Sequence, residues 1–149
     1  MVNREHDVRD LLQDLFLKIA RNPGCLKGIG NPKAYLFRLA HNLAVDSFRR
    51  RRARIDKHAA LAEEPLPIFA QSPDPDTQTV RASLAAALTE LPLSQRETVY
   101  FKLYEDMTFD AIAEILGISS NTAASRYRYG LVKLREHLRP LYDDINEDI

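Results

Sequence analysis

Polar and apolar positions between Met107 and Leu138 follow a helical period on both sides of a single turn. On the first side, apolar residues recur at i, i+3, i+4 and i+7, namely Phe109, Ile112, Ala113 and Leu116. On the second side, a longer apolar stripe is formed by Ala123, Tyr127, Leu131, Leu134 and Leu138. Thr108 stands where an N-cap belongs, Gly117 follows the first stripe, and Ser119 or Ser120 can cap the second helix. The pattern predicts a helix-turn-helix.

The outward face of the second predicted helix is polar at its N-terminal end and is locally basic. The predicted surface residues are Ser120, Asn121, Thr122, Ser125, Arg126 and Tyr129, with Lys133 further along. Helix-turn-helix proteins insert this end of the second helix into the major groove, where hydroxyls, amides and guanidinium groups suit base edges and phosphates. The alternative is an ordinary helical hairpin with a solvated outer face.

The N-terminal third contains two more helical patterns with a loop between them. Residues 7–20 predict an amphipathic helix, because apolar side chains recur at helical spacing with charged residues between them. Residues 21–32 contain three glycines and two prolines, so we expect a loop without regular structure. A second helix begins at or just after Asn31, and Pro32 suits its first turn.

This second helix ends in a cluster of arginines: Arg49, Arg50, Arg51, Arg52 and Arg54. Cations near a helix C-terminus are stabilising by a few tenths to about 1 kcal/mol, which accounts for one or two of them. A polyanionic partner, most simply a nucleic-acid backbone, explains the rest better.

Residues 56–80 hold four prolines and an acidic excess without a sustained period, and we interpret them as a linker. Beyond it, residues 83–91 open a C-terminal module, and Ser94 to Glu97 has the spacing of a capping box. The next helix is expected to bury Val99, Tyr100, Leu103 and Tyr104. With the hairpin, this makes four helices around one small core.

Charge is distributed unevenly although the formal net charge of the 149 residues is zero. Residues 1–55 have a net charge of +7, residues 56–80 of −4 and residues 81–149 of −3. Residues 120–139 have a net charge of +4, so the predicted recognition helix is basic within an acidic module. Overall neutrality is therefore no argument against a nucleic-acid partner.

Composition excludes several other classes of protein. No apolar run approaches the roughly 20 residues that span a bilayer, and the charged N-terminus is unlike a signal peptide, so we expect a cytoplasmic protein. Cys25 is the single cysteine, which leaves no internal disulfide. No metal or cofactor motif and no catalytic constellation is found, so we expect neither a cofactor nor an enzyme activity.

Two motif blocks, taken in order, resemble the extracytoplasmic-function (ECF, group 4) sigma factors of bacterial RNA polymerase. Residues 7–18 followed by 31–50 resemble region 2 of the sigma-70 family, and residues 91–97 followed by 112–126 resemble region 4. The resemblance implies an all-α protein of two small modules: a partial region 2 bundle at 1–55 and a four-helix region 4 at 81–142. It places the linker at 56–80 and an acidic tail at 143–149.

The resemblance also implies roles for particular residues. Asp10, Gln13 and Asp14 match the face that binds the clamp helices of the polymerase β′ subunit, while region 4 would contact the β flap. The residues that match the −10 recognition and melting segment are Tyr35, Phe37, Arg38, Asn42, Asp46 and Arg49 to Arg52. Residues 24–30 match a loop that accommodates a flipped base, and 56–80 match the segment directed towards the polymerase active site. The helix starting near Ser120 matches the one that recognises the −35 element, and an anti-sigma factor is a further expected partner.

Two departures from the family pattern affect these expectations. Ala124 stands where the family usually has Lys or Arg, so one phosphate contact at the −35 element is expected to be missing or shifted. The family normally has one or two helices before the position of Val8, so we expect a chain shortened at its N-terminus, with part of the apolar face of 8–19 lacking packing. The alternative functions are a stand-alone helix-turn-helix regulator that binds duplex DNA without polymerase, and a helical adaptor without DNA activity.

Overall fold

The computed structural model describes residues 4–55 and 75–147, and the predicted all-α fold is confirmed within them. Helices α1 (Arg4–Arg21) and α2 (Pro32–Ile55) come first, with a short 3-10 helix at Pro23–Leu26 between them. The other four helices are α3 (Pro75–Glu90), α4 (Leu93–Leu103), α5 (Phe109–Leu116) and α6 (Ser120–Glu147). Within the described ranges, no helix is both long and apolar enough to cross a membrane.

Two compact units divide the chain, and each is described by itself. The first comprises Met1–Leu61 with Ala113–Ile118, and the second comprises Ala62–Ile112 with Ser119–Ile149. In the first unit α1 packs against α2, with Leu15 and Ala34 buried. Asp7 near the start of α1 forms an ion pair with Arg51 near the end of α2, so these two helices run antiparallel.

The start of α2 agrees with the sequence prediction. The side-chain oxygen of Asn31 accepts a hydrogen bond from the N–H of Ala34 at 3.1 Å, and Pro32 is the first helical residue. The preceding loop differs from the prediction, because Pro23–Leu26 forms one 3-10 turn. Pro23 fixes its own φ in the helical range, so even a glycine-rich segment can close such a turn.

Part of the α1 surface is apolar and exposed. Val8, Leu12 and Phe16 recur at i, i+4 and i+8, and all three are exposed. These residues lie beside the face that contains buried Leu15, so α2 covers only part of the apolar stripe of α1.

The core of the second unit is formed by α3, α4 and α6. Its buried members are Ala87, Leu88, Leu91, Val99 and Leu134, and half-buried Leu84, Tyr127 and Leu138 pack against them. Arg96 joins α3 to α4, because its guanidinium donates to the carbonyl oxygens of Thr89 at 2.6 Å and Leu91 at 3.1 Å. These carbonyls lie at the end of α3, where no intrahelical donor remains.

The predicted capping box at Ser94 is wrong. Helix α4 begins at Leu93, and Pro92, which has no side-chain donor or acceptor, occupies the N-cap position. Ser94 is therefore already inside the first turn, and its carbonyl oxygen accepts a hydrogen bond from the Thr98 hydroxyl at 2.8 Å.

The predicted buried face of α4 is only partly correct. Val99 is fully buried, but Leu103 and Tyr104 are 52% and 38% exposed, while Phe101 is buried instead. Thr98 is also fully buried, with its hydroxyl bonded to the helix backbone. A polar residue at the centre of the buried face breaks the apolar stripe that the periodicity relies on.

Two predicted boundaries also differ from the structure. Helix α3 begins at Pro75, so residues 75–80 of the predicted linker are helical, as the preference of proline for a first helical turn allows. Helix α6 continues through Pro140 to Glu147, so most of the predicted acidic tail is helical. The rest of the predicted linker, residues 56–74, lies outside the described residues.

Candidate nucleic-acid interface

Helix α5 begins and ends as the sequence predicts. The Thr108 side-chain oxygen accepts a hydrogen bond from the N–H of Ala111 at 3.2 Å, so Thr108 is the N-cap. Gly117 has φ +66°, a left-handed conformation that favours glycine, and the N–H of Ile118 donates to the carbonyl of Ala113 at 3.0 Å. A glycine-dependent termination therefore sets the turn before α6.

Helix α6 is capped by Ser119, which settles the two candidates that the sequence left open. The Ser119 side-chain oxygen accepts a hydrogen bond from the N–H of Thr122 at 3.1 Å. The Thr122 hydroxyl is itself 2.8 Å from the Ser119 hydroxyl. Two of the small hydroxyls at this helix end therefore stabilise the helix start.

The first turn of α5 contacts α6 through one ring contact and one hydrogen bond. The rings of Phe109 and Tyr127 lie 5.6 Å apart between centroids. The hydroxyl of Ser120 donates to the carboxylate of Asp110. Ser120, predicted to contact DNA, is thus half-buried and already bonded within the motif.

The remaining predicted −35 contacts differ in their exposure. Asn121, Tyr129 and Lys133 are exposed, and Tyr129 retains 65% of its surface. Ser125 and Arg126 are half-buried. These five residues occupy the first four turns of α6. Asn121 and Ser125 project opposite the buried face of α6, whereas Arg126 and Lys133 lie beside that face.

Arg128 completes this surface, although it was not among the predicted contacts. It is exposed and lies at i+7 from Asn121, so both side chains project from nearly the same line along α6. The i+7 spacing from Asn121 is the sequence signal that could have identified Arg128 as part of this surface.

Helix α2 presents a second polar surface with the predicted −10 residues. Arg38, Asn42 and Arg49 are exposed at i, i+4 and i+11, which places them on one side of the helix. The guanidinium of Arg38 lies 5.5 Å from the ring centroid of half-buried Tyr35, within the range of a cation–π interaction. Exposed Asp46 lies two turns beyond Arg38.

Phe37 does not share this surface. It precedes Asp46 by nine residues, or two and a half helical turns, so the two side chains project from opposite sides of α2. Phe37 precedes Arg51 by 14 residues, which puts it on the side where Arg51 contacts α1. The structure therefore groups Tyr35 with Arg38 and Asn42, and separates Phe37 from them.

The arginine cluster divides into two kinds of side chain. Arg49, Arg50, Arg52 and Arg54 are exposed, whereas Arg51 is half-buried and paired with Asp7. The sequence treated all of Arg49 to Arg52 as equivalent phosphate contacts. In the structure Arg51 differs from its neighbours, because helical rotation turns it towards α1.

The residues matched to the polymerase contact lie together on α1. Asp10, Gln13 and Asp14 are all exposed, and their spacing of i, i+3 and i+4 places them on one face. Leu17 extends this face at i+7 from Asp10 and is 52% exposed. The apolar period of α1 predicts Leu17 neither as a buried residue nor as a contact residue, although its i+7 spacing from Asp10 identifies it as part of this face.

Two family models match the chain. The family model for sigma-70 region 2 matches residues 1–54, and the family model for sigma-70 region 4 matches residues 81–134.

No group of side chains within the described ranges is arranged to hold a metal ion.

Curated relatives agree with the family models. The chain is 32% identical over 144 residues to the ECF RNA polymerase sigma factor SigE of Mycolicibacterium smegmatis, covering 90% of this chain and 52% of that protein. It therefore spans about half the length of that relative. It is 33% identical over 141 residues to the RNA polymerase sigma factor CarQ of Myxococcus xanthus, covering 95% of this chain and 80% of CarQ.

A solved structure is similar as well. The sigma factor RpoE of Bartonella quintana, crystallised in complex with the anti-sigma factor NepR, matches with a TM-score of 0.74 at 26% sequence identity. The match covers 88% of this chain and 80% of that one.

Proposed function

Because the chain belongs to the ECF group of the sigma-70 family of RNA polymerase sigma factors, we propose that it divides promoter recognition between α6 and α2. Sigma factors bind core RNA polymerase and promoter DNA, and the relatives favour this function over a stand-alone regulator. The family consists of transcription initiation factors rather than enzymes. We place the protein in the cytoplasm, with the polymerase.

Helix α6 is the proposed −35 element contact. Asn121, Arg128, Tyr129 and Lys133 are exposed along its first turns, and Arg126 is half-buried beside them. An amide and guanidinium groups at the N-terminal end of a recognition helix suit base edges and phosphates in the major groove. Ser120 contributes indirectly, because its bond to Asp110 fixes the first turn of α6 against α5.

Helix α2 is the proposed contact with the −10 element. Tyr35 supplies an aromatic ring, and Arg38 and Asn42 lie on the same side of the helix. Aromatic stacking on an unpaired base contributes roughly 1–3 kcal/mol, and exposed arginines bind the backbone without sequence preference. The exposed Arg49, Arg50, Arg52 and Arg54 would extend that backbone contact along the last turns of α2.

Helix α1 is the proposed polymerase contact, through Asp10, Gln13 and Asp14 with Leu17 beside them. Protein interfaces commonly have an apolar centre surrounded by a polar rim. Here the exposed leucine would supply the apolar centre, and the acidic side chains and the amide would supply the polar rim. We further propose an anti-sigma factor as a regulatory partner, since the similar RpoE structure contains one.

The observation that supports the proposal most directly is the coexistence in one chain of a capped helix-turn-helix and an exposed arginine cluster on a separate helix. A duplex-only regulator has no use for the second surface. The test is transcription of a fragmented genomic DNA library by core RNA polymerase with and without the chain. We expect a small set of new start sites that share two upstream motifs, and unselective or unchanged transcription would contradict the proposal.

A further inference from the structure

We infer that the Asp7–Arg51 ion pair anchors the arginine-rich end of α2 to α1, so that Arg51 is a positioning residue rather than a DNA contact. The inference deepens the proposed function and rests on it, because it concerns the surface proposed to hold the opened promoter strand. The relevant segment is residues 46–54, in the last turns of α2.

Exposure along this segment singles out Arg51. From Asp46 to Arg54 every side chain is exposed except that of Arg51. The Arg51 and Asp7 side chains are 29% and 31% exposed, so neither is fully solvated. Helix ends without buried contacts open locally at low free-energy cost. Within the described residues, the pair therefore ties the last turns of α2 to α1.

The pair also joins two proposed functional helices. Asp7 lies one turn before Asp10, the first residue of the proposed polymerase face, and Arg51 lies among the four exposed arginines. Because α1 and α2 are antiparallel, holding Arg51 fixes where Arg49, Arg50, Arg52 and Arg54 project relative to α1. If these side chains are already ordered in the free protein, DNA binding loses less conformational entropy and is therefore more favourable.

Simple electrostatics and anchoring predict opposite signs for one substitution. Asp7→Asn removes a negative charge and releases a guanidinium, so charge alone predicts tighter binding to a nucleic-acid backbone. Anchoring predicts weaker binding, because the last turns of α2 fray and the remaining arginines lose their common orientation. The direction of the change therefore separates the two accounts.

The experiment uses the full chain and a fluorescein-labelled 20-nucleotide deoxythymidine strand as the probe. We expect Asp7→Asn to weaken binding of the strand about fivefold, which is the change in dissociation constant that corresponds to the free energy of a partly exposed ion pair. The amides of residues 48–54 should exchange with deuterium faster in this variant. The charge swap Asp7→Arg/Arg51→Asp keeps the net charge and should restore both affinity and protection.

Matched controls keep the result specific. Glu5→Gln removes an equivalent carboxylate from the exposed Arg9–Glu5 pair within α1, whose side chains are 68% and 73% exposed. This control should leave exchange in residues 48–54 unchanged. Unchanged or tighter binding of Asp7→Asn, or a charge swap that restores neither measurement, would overturn the inference. Neither measurement involves polymerase, so failure of the chain to bind polymerase would count against the proposed function alone.

Discussion

Gly130 of α6 lies directly against Val99 of α4: a Cβ atom at position 130 would fall 2.7 Å from Val99 Cγ2. Val99 is fully buried and Gly130 is buried, so neither side chain position has free space beside it. The absent side chain permits α6, which contains the proposed −35 contacts, to pack closely on α4. The glycine thus serves helix packing in the middle of a recognition helix.

Gly130→Ala should therefore destabilise the second unit. Replacing a helical glycine by alanine normally gains about 1 kcal/mol, but overpacking a buried contact costs about 1–3 kcal/mol. We expect a net loss of unfolding free energy, measured by chemical denaturation. Adding Val99→Ala should make the double variant more stable than the sum of the two single effects predicts. A Gly130→Ala variant more stable than the parent would show that the two helices can separate without cost.

Arg96 should be required for the junction between α3 and α4. Arg96→Met removes a cation that donates to two carbonyl oxygens at the end of α3, and we expect a loss of about 1–3 kcal/mol in unfolding free energy. Both bonds come from the same guanidinium nitrogen, Nη2. Arg96→Lys keeps the charge, but its ammonium is more strongly hydrated and sits on a more flexible stem, so it should recover only part of the loss. Equal unfolding free energies for the parent chain, Arg96→Met and Arg96→Lys would contradict the proposed capping role.

The −35 surface can be tested with a duplex selected from a random library by the chain itself. Arg126→Ala and Arg128→Ala should each weaken binding to this duplex, by about 1–3 kcal/mol where the side chain contacts a base. Arg21→Ala, an exposed arginine in the last turn of α1, serves as the control and should bind normally. If the duplex affinity of either α6 variant is unaltered across a salt series, that residue lies outside the recognition surface.

The exposed arginines of α2 should determine the salt dependence of binding to unpaired DNA. Each phosphate contact contributes about 0.7 to the slope of log K against log salt for a single strand. Replacing Arg49, Arg50 and Arg52 by Ala should therefore lower the slope by about 2. Arg51→Ala should change the slope less than any one of them, because its charge is paired with Asp7. A slope that stays constant in the triple variant would make the cluster an ordinary solvated helix end.

Local chemistry explains which parts of this fold the sequence could predict. Thr108, Asn31 and Gly117 act through their own backbone neighbourhood, and each cap or turn lies where the sequence placed it. The predicted capping box at Ser94 is wrong although its spacing is correct, because Pro92 occupies the N-cap position two residues earlier. Local patterns thus identified elements well, and their exact ends less well.

Tertiary contacts explain the parts that the sequence could not predict. Phe101 and Thr98 are buried although neither belongs to the apolar stripe from which the buried face of α4 was predicted. Arg51 is identical in type to its neighbours and differs only through Asp7, which lies 44 positions earlier in the chain. Ser120 likewise owes its hydrogen bond to Asp110 of the preceding helix. Such differences depend on pairings that no local pattern contains.

The central claim is that this chain binds core RNA polymerase through the exposed face of α1. The most direct measurement is co-elution of the purified chain with core RNA polymerase in gel filtration, with Asp10→Ala/Gln13→Ala and the control Glu5→Ala alongside. We predict stoichiometric co-elution of the parent chain and of Glu5→Ala, and its loss in the double variant. Co-elution of the double variant would place the contact elsewhere, and absence of co-elution for a folded parent chain that still binds duplex DNA would contradict the claim.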